Sequence, residues 1–299
     1  DILHAHRVNS AGWLAAASGF HPYVVTPWGS DVLIQPQRSW IARILARYTL
    51  QHADMVTTNS RVMGEQVIRL GARAETLRAV QFGVNLDVFN MNETINQEEM
   101  DLRKQLLLPE KARIVLSPRA VHPIYNLDII IQAISLVRER IQDAYFIFID
   151  YNSDPDYKMA LDRRIKQLGV VNHVRWLPAT RNRNELSNWY HHSDVVVSVP
   201  SSDGTPVTVL EAMACGKPVI CTDLPSLREF ITSGENGYLV PVRQVSPLAE
   251  AIIQLISQPD QAKEFSRKAH QLVAEKADFE VEMKRMETIY YQLAAEHRR

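Results

Sequence analysis

A short apolar strand that leads through a polar loop directly into a helix is the feature that most restricts the fold of this chain. The strand covers 194–199, is rich in valine and is ended by Pro200. After a loop of Ser, Asp and Gly, apolar residues recur at helical spacing up to Gly216, and a second apolar strand follows. Such a strand–helix–strand order is typical of parallel sheets, because the helix returns the chain to the edge where the next strand begins.

The same alternation runs along most of the chain. Further strands are predicted at 2–5, 23–26, 55–59, 77–80, 114–117, 146–150 and 174–177, with amphipathic helices between them. Strands this short and this apolar are typical of a sheet covered on both faces. The sequence therefore predicts a doubly wound α/β protein, and 299 residues suggest two domains of roughly 150 residues each.

The start of the helix after the loop has the chemistry of an anion site. Thr205 is predicted as its N-cap and Pro206 as its first residue. A helix N-terminus offers unpaired N–H groups and roughly half a positive charge. Gly204 and Thr205 should therefore lie where an anionic ligand can approach the main chain. Glu211, two turns further on, is placed to accept hydrogen bonds from sugar hydroxyls.

Composition narrows the class of protein. The formal net charge of -1 argues against a nucleic-acid-binding protein, which needs a basic surplus. Cys215 and Cys221 are predicted to be buried thiols without a disulfide, as expected in a reducing cytoplasm. Neither a signal peptide nor an apolar run of roughly 18 to 20 residues is recognisable. We expect a cytoplasmic protein that is soluble or lies at the inner face of the membrane.

The region around Glu211 resembles the donor-binding signature of the retaining GT-B glycosyltransferases of family 4. The matching elements are an acid, Asp203, seven intervening residues, and Glu211 in the sequence E-A-M-A-C-G-K-P-V-I. The resemblance implies that Asp203 lies near the transferred sugar, although the family usually has Glu there, and that Glu211 holds the ribose. The turn that it places at the donor diphosphate comprises Gly204, Thr205, Pro206 and Val207.

A second part of the resemblance follows the strand at 114–117. Ligands gather at the carboxyl ends of parallel strands, and the family has an Arg there and a Lys six residues on, both holding the diphosphate. Here these positions are Arg119 and Tyr125. Losing one cation removes a contact worth on the order of 1.5 to 3 kcal/mol. We expect Tyr125 either to reach phosphate with its hydroxyl or to pack on the next helix, whose predicted N-cap is Asn126.

Two further segments extend the match. Leu177 lies in a segment that resembles the family's V-x-F-x-G, whose main chain reads the nucleotide base. On the acceptor side, Trp28 replaces the His of the family's T-x-H-G-x-D, while Gly29 and Asp31 match it. An indole can stack on a sugar ring and donate its N–H, but it cannot carry a proton. Asp31 is expected either to contact the acceptor or to cap the next segment.

The resemblance, from Asp1 to about Leu293, also implies a domain plan. It comprises a partial, acceptor-side Rossmann-like domain over 1–95, a linker over 96–112, a donor-binding Rossmann-like domain over 113–278 and a helix over 279–299 that crosses back to the first domain. Because D-I-L-H-A-H resembles a strand from the middle of the family's first domain, we expect that domain to be incomplete at its amino-terminal side.

The implied reaction is retaining transfer of a hexose from a nucleotide-diphosphate sugar to a glycan, lipid or small-molecule acceptor, as in cell-envelope or polysaccharide biosynthesis. Arg119 and Asp203 would act in catalysis. No metal or other cofactor is expected, because helix termini and cations offset the diphosphate charge in this design. Two alternatives remain: an epimerase of the same fold, and a non-catalytic nucleotide-sugar-binding subunit, which Tyr125 and Trp28 favour.

The helix predicted at 39–52 has two interpretations. Its apolar residues either face the sheet with Arg43 and Arg47 in water, or touch an anionic bilayer.

Overall fold

Two parallel sheets organise the chain in a computed structural model that describes residues 1–91 and 101–297. The first sheet contains, in spatial order, β1 (Leu3–His6), β2 (Tyr23–Thr26), β3 (Met55–Thr58) and β4 (Leu77–Ala79). The second contains β5 (Arg113–Ser117), β6 (Ala144–Asp150), β7 (Val174–Pro178), β8 (Val195–Ser198), β9 (Val219–Thr222) and β10 (Tyr238–Val240). Its spatial order is β10-β9-β8-β5-β6-β7. All pairings of these strands are parallel, so the doubly wound α/β prediction is confirmed.

Helices cover these sheets. Those of the first unit are α1 (Ser10–Ala17), α2 (Ser30–Leu33), α3 (Gln35–Arg38), α4 (Trp40–His52) and α5 (Arg61–Leu70). Those of the second are α6 (Leu102–Gln105), α7 (Leu127–Arg140), α8 (Pro155–Gln167), α9 (Arg183–His192), α10 (Val207–Ala214), α11 (Val245–Ser257) and α12 (Pro259–Lys276). The described residues include no helix with the length and apolarity that a membrane span requires.

The strands of the second sheet are apolar on both faces. In β5, Val115 joins one hydrophobic cluster, while its neighbours Ile114 and Leu116 join another on the opposite face. In β6, Phe146 and Ile147 divide in the same way. This explains the continuous apolar runs in the sequence, since strands covered on both sides have no polar face. Cys215 and Cys221 are buried and free of a disulfide, as predicted.

The strand order reverses between β5 and β8, and this creates a crevice. From β5 the chain continues to β6 on one side, whereas β8 lies on the other side. The loops after β5 and β8 therefore diverge at the carboxyl edge of the sheet, where α/β proteins bind ligands. Arg119 follows β5 and Asp203 follows β8, so both predicted residues stand at this crevice.

The chain joins the second unit at different residues from those predicted. Phe89 and Leu102 are fully buried and belong to the core under the second sheet. The prediction of a linker over 96–112 therefore needs correction for 101–112, where a short helix and buried leucines pack on that core. The rest of the predicted linker, 96–100, lies outside the described residues. The leucines of 101–112 do not keep one regular helical or strand spacing, so the sequence offered no period from which their burial could be predicted.

Helix α4 agrees with the first of its two interpretations only in part: Arg43 and Arg47 are exposed, but so are some of its apolar side chains. Its buried residues are Ala46, Thr49 and Leu50, whereas Trp40 and Ile44 are largely exposed. Trp40 and Ile44 therefore lie outside the core, whereas Leu50 and Tyr48 pack in it or against it.

A further helix, α13 (Phe279–Glu296), crosses back to the first sheet. Ile289 and Leu293 pack against Val24, Met55 and Val80, so that this helix completes the apolar layer on one face of that sheet. At the crossing, the main chain of Phe279 donates a hydrogen bond to the carbonyl of Val84. The second unit and α13 are thereby tied to the first unit by packing as well as by sequence.

Gly83 should be intolerant of substitution, because the chain crosses itself there. Its φ is +71°, and a Cβ would lie 2.6 Å from the Cα of Phe279. Gly169 is a matched control, since its φ is +68° and no described atom lies within 4 Å of its Cβ position. We expect Gly169→Ala to lower the free energy of unfolding by about 1 to 2 kcal/mol. Gly83→Ala should cost about 1 to 3 kcal/mol more, because backbone atoms must move.

Urea unfolding of both glycine variants measures this difference. Equal destabilisation of the two would show that the contact with Phe279 carries no weight.

Candidate functional site

An ion pair between Arg119 and Asp203 lies at the base of the crevice. Nη2 of Arg119 is 2.7 Å from Oδ2 of Asp203, and its Nη1 donates a hydrogen bond of 3.0 Å to Oγ1 of Thr208. The arginine is only 7% exposed. Burial by itself would lower the pKa of Arg119, but the charge of Asp203 and the contact with Tyr125 outweigh it and raise the pKa. Arg119 is therefore a fixed cation whose position is set by both strand loops.

The ring of Tyr125 packs against the guanidinium of Arg119. The guanidinium of Arg119 lies 4.2 Å from the centroid of the Tyr125 ring, which is a cation–π contact. Tyr125 thus occupies the position of the family's lysine without adding a charge. Its ring supports Arg119 and lines the space between the two units.

The side chain of Asn126 has a different role from the one predicted. It precedes α7 with a left-handed φ of 52°, and its side chain makes no N-capping hydrogen bond. Instead Nδ2 donates to the carbonyl oxygen of Val199 and to Oγ of Ser201, both at 2.8 Å. Asn126 is thus the N-cap residue of α7, as predicted, but its side chain does not cap the helix. The side chain fixes the loop after β5 to the loop after β8, which places Arg119 opposite Asp203.

The start of α10 also differs from the prediction. The helix begins at Val207 with Pro206 at the N-cap position, so Thr205 is not the N-cap. Oγ1 of Thr205 instead donates to the carbonyl of Asn59, in the first unit. Gly204 lies so close to the first unit that a Cβ there would come within 2.6 Å of Sδ of Met63. The loop at 203–206 therefore forms one wall of a cleft between the two units.

Glu211 is buried beside a second cavity, which has a volume of about 400 Å³. The residue is only 4% exposed. Its Oε1 accepts from Nη1 of Arg183 at 3.0 Å, and its Oε2 accepts from the Tyr190 hydroxyl at 3.1 Å. Burial raises the pKa of Glu211 to about 7, against the opposing effects of Arg183 and Tyr190. This is an acid held close to its titration point at neutral pH.

The wall of this cavity identifies residues that the sequence analysis missed. Leu177, predicted at the donor, has its side chain in the core, and the segment after it reaches the cavity. Arg183 opens α9 and lies against both Glu211 and the ring of Phe89. The sequence did contain one signal for Arg183: a cation in the first turn of a helix is unfavourable to the helix dipole, which suggests that it has another role. The lining residues include Tyr151, Thr180, Arg181, Asn182, Arg183, Val207, Thr208 and Glu211.

Trp28, Gly29 and Asp31 form the facing wall, in the first unit. Asp31 is 3% exposed and accepts from the main-chain N–H groups of Val8, Trp28 and Gly29 at 2.8 to 3.0 Å. Of its two predicted roles, the structure favours capping, since these bonds hold the loop in place. Trp28 is half-exposed, but its indole N–H is directed to Nδ1 of His6 at 3.2 Å. Its N–H is therefore engaged within the first unit.

The cleft between the two walls has a volume of about 310 Å³. Gly29 faces Gly204 across it, with 3.5 Å between a Cβ at Gly29 and the nitrogen of Gly204. The ion pair of Arg119 and Asp203 connects the walls of the two cavities: Asp203 lines the cleft, and Thr208, which Arg119 also contacts, lines the cavity beside Glu211.

Metal-ligating side chains converge elsewhere. Within residues 1–91 and 101–297, three such side chains lie close enough together to hold one metal ion: His21, Asp54 and His297, whose ligand atoms are within 4.8 Å of one another. His21 precedes β2, at the edge opposite the cleft. Metal independence at the cleft remains a prediction.

Comparisons with known proteins extend these observations. The family Glycosyl transferases group 1 matches residues 98–272, and Glycosyl transferase 4-like matches residues 1–60. Among curated proteins, a D-inositol 3-phosphate glycosyltransferase of Jonesia denitrificans is 28% identical over 81% of this chain and 60% of its own length. An N-acetyl-alpha-D-glucosaminyl L-malate synthase of Bacillus anthracis is 23% identical over 97% of this chain and 74% of its own length. The chain thus spans about 60% of the length of the first of these relatives.

Solved structures share the fold. HepE of Anabaena, crystallised with UDP and glucose, superposes with a TM-score of 0.87 at 21% identity and covers 98% of this chain and 78% of its own. A sucrose-phosphate synthase of Thermosynechococcus elongatus superposes with a TM-score of 0.84 at 22% identity, covering 98% and 74%.

Proposed function

Because this chain belongs to the glycosyl transferases group 1, we propose that it takes part in moving a hexose from a nucleotide-diphosphate sugar to an acceptor hydroxyl, with retention at the anomeric carbon. The observation that carries the proposal is the buried Arg119–Asp203 pair at the strand-order reversal, with Glu211 in the adjoining cavity. A cation beside an acid suits a ligand that has both phosphates and hydroxyl groups.

In this proposal each residue has a role that its contacts support. Arg119 holds the diphosphate and stabilises the charge that develops on it as the anomeric C–O bond breaks. Asp203 accepts hydrogen bonds from the sugar hydroxyls, and Glu211 accepts them from the ribose. The acceptor oxygen forms the new C–O bond, and its proton leaves on the departing diphosphate. No metal or other cofactor is needed for these steps.

The cavity beside Glu211 has the wall chemistry of a nucleotide site, and we call it the donor cavity. Tyr151 and Arg183 give its wall an aromatic ring and a guanidinium, the two kinds of group on which bases stack, while Glu211 is buried beside Tyr190. HepE of Anabaena, which shares the fold, has been crystallised with UDP and with UDP-glucose. Uridine-linked sugars are therefore the first donors to test.

Binding and slow hydrolysis of UDP-, GDP- and ADP-sugars test the proposal. The purified protein should bind one class, and Glu211→Ala should weaken this binding by about 10-fold or more. Glu264→Ala, at an exposed acid on α12, is the matched control. Binding without turnover, even with acceptors from cell extract, would favour a non-catalytic subunit, and an altered sugar formed without any acceptor would favour an epimerase. Absence of binding would overturn the donor site.

We also propose that α4 contacts an anionic membrane surface. Trp40 and Ile44 are 72% and 56% exposed and, being four apart, share one face of the helix. Arg43 and Arg47 lie next to each other on one side of that face, and α4 contains no acid. An apolar stripe beside cations suits a helix lying in the headgroup layer.

Vesicle co-sedimentation tests this contact. Binding to vesicles of phosphatidylglycerol and phosphatidylcholine should exceed binding to phosphatidylcholine alone. Trp40→Ser with Ile44→Ser should weaken it by at least about 10-fold, because two apolar side chains lose their burial. Met159→Ser, which replaces an exposed apolar residue on α8, serves as the control. Retention of full binding by the double variant would rule out α4 as the contact.

A further inference from the structure

Arg7 is held in a strained backbone conformation at the mouth of the cleft between the two units. It follows β1 directly and has a φ of 78°, in the left-handed region that non-glycine residues rarely adopt. Its N–H donates a 2.8 Å hydrogen bond to the carbonyl of Thr26, which extends the pairing of β1 with β2 by one residue. Strain of this kind, maintained by neighbouring structure, concentrates at functional sites.

The guanidinium of Arg7 lies in the cleft without a carboxylate partner among the described residues. Its carbon is 5.2 Å from the centroid of the Trp28 ring, in a cation–π contact. Two acids line the same cleft, but both are engaged elsewhere. Asp31 accepts three main-chain hydrogen bonds, and Asp203 is paired with Arg119. Arg7 is therefore a cation with no counter-charge from these residues.

The position of Arg7 defines which ligand it can meet. Arg119 and Asp203 lie on the wall formed by the second unit, where the donor sugar is proposed to bind. Arg7 lies with Trp28 and Asn9 on the opposite wall, in the first unit. A molecule held there would approach the anomeric carbon from the acceptor side. The local chemistry is one exposed guanidinium beside an aromatic ring, together with carboxamide groups.

From this geometry we infer that Arg7 recognises an acidic group on the acceptor, and that the acceptor is a hydroxylated molecule bearing a phosphate or a carboxylate. The inference rests on the proposed transferase function and adds the acceptor class to it. A guanidinium forms paired hydrogen bonds with either group. The acidic group takes no part in the bond changes: it positions the hydroxyl that attacks, while the bond to the diphosphate breaks and the hydroxyl proton leaves with it.

Transfer to matched acceptors tests the inference. With the donor that the protein hydrolyses, kcat/KM is measured for glycerol and glycerol 3-phosphate, and for glucose, glucose 6-phosphate and glucuronate. Vesicles of phosphatidylglycerol form a separate arm that distinguishes a lipid phosphate from a soluble one. The protein should favour the acidic member of at least one set by about 10-fold or more.

Variants at Arg7 then connect this preference to the residue. Asparagine tolerates a left-handed φ, so Arg7→Asn removes the cation without adding strain. It should raise KM for the acidic acceptor by about 10- to 100-fold and abolish the preference, while Arg7→Lys should retain part of it. Arg69→Asn, at an exposed arginine on α5, should behave as the parent does.

Two outcomes would count against the inference in distinguishable ways. Donor hydrolysis together with equal use of acidic and neutral acceptors, or a preference that survives Arg7→Asn, would overturn the role of Arg7 and leave the transferase proposal intact. Failure to bind or hydrolyse any nucleotide sugar would overturn the transferase proposal, and the acceptor inference with it.

Discussion

Arg119→Ala should lower kcat for sugar transfer by roughly 100- to 1000-fold, the range found when a preorganised charge-stabilising group is removed from an active site. The guanidinium is positioned before any ligand binds, because Asp203, Thr208 and Tyr125 all contact it. No reorganisation is then needed when charge develops on the leaving diphosphate. Steady-state kinetics with saturating donor would measure the loss.

Two further variants make the Arg119 result interpretable. Arg119→Lys keeps the charge but cannot bond Asp203 and Thr208 together through a planar group, so an intermediate loss is expected. Arg228→Ala removes an exposed arginine paired with Asp223 and should leave kcat unchanged. Because Arg119→Ala also leaves the Asp203 carboxylate without its partner, thermal unfolding must accompany the kinetics. A folded variant with less than a 10-fold loss would contradict the catalytic role.

Glu211→Gln should separate donor binding from stability. Glutamine keeps the size of the side chain and still accepts from the Tyr190 hydroxyl, but it lacks the negative charge that would hold the ribose and that attracts Arg183. We expect KM for the donor to rise by about 10-fold or more at pH 8. As the pH falls below 7, the parent should approach the variant, because its own carboxylate becomes protonated.

The same variant should be more stable than the parent at alkaline pH. The folded-state pKa of Glu211 is about 7, above the ordinary value of 4.5, so the folded protein binds the proton more tightly than the unfolded chain does. The tighter proton binding adds to the free energy of unfolding of the parent, fully below pH 4.5. This added stability, up to about 3 kcal/mol, is lost as the pH rises through 7. Urea unfolding measures this difference. The free energy of unfolding of Glu211→Gln, relative to that of the parent, should be higher at pH 8 than at pH 5. A difference that is the same at both pH values would contradict the raised pKa.

The fold could be predicted because its signal is local. A strand such as β5 or β8 must be apolar at every position when helices cover both faces, and that continuity is visible in a few residues. The position of Arg119 and Asp203 followed from the same signal, since each lies just beyond the carboxyl end of a predicted strand. The hydrophobic clusters on the two faces of the second sheet contain the apolar residues that the predicted strands had identified.

What sequence reasoning missed depends on contacts distant along the chain. Local capping rules placed Thr205 at the N-cap, but its hydroxyl bonds to Asn59, 146 residues earlier. Asn126 stands at the N-cap of α7 as predicted, yet its side chain bonds to Val199, 73 residues later, and not to the helix. Arg183 meets Glu211 only because α9 and α10 pack beside each other. In each case a polar side chain with a local option took a tertiary partner instead, and the short-range pattern cannot reveal which option is taken.

The crossing of α13 affects how this protein is made. One face of the first sheet is covered by Ile289 and Leu293, which the ribosome adds about 200 residues after Val80. At roughly 5 to 20 residues per second, that face stays bare for roughly 10 to 40 seconds of synthesis. The second unit is complete before then, and a ribosome stalled before residue 279 would display this face of the first sheet without α13.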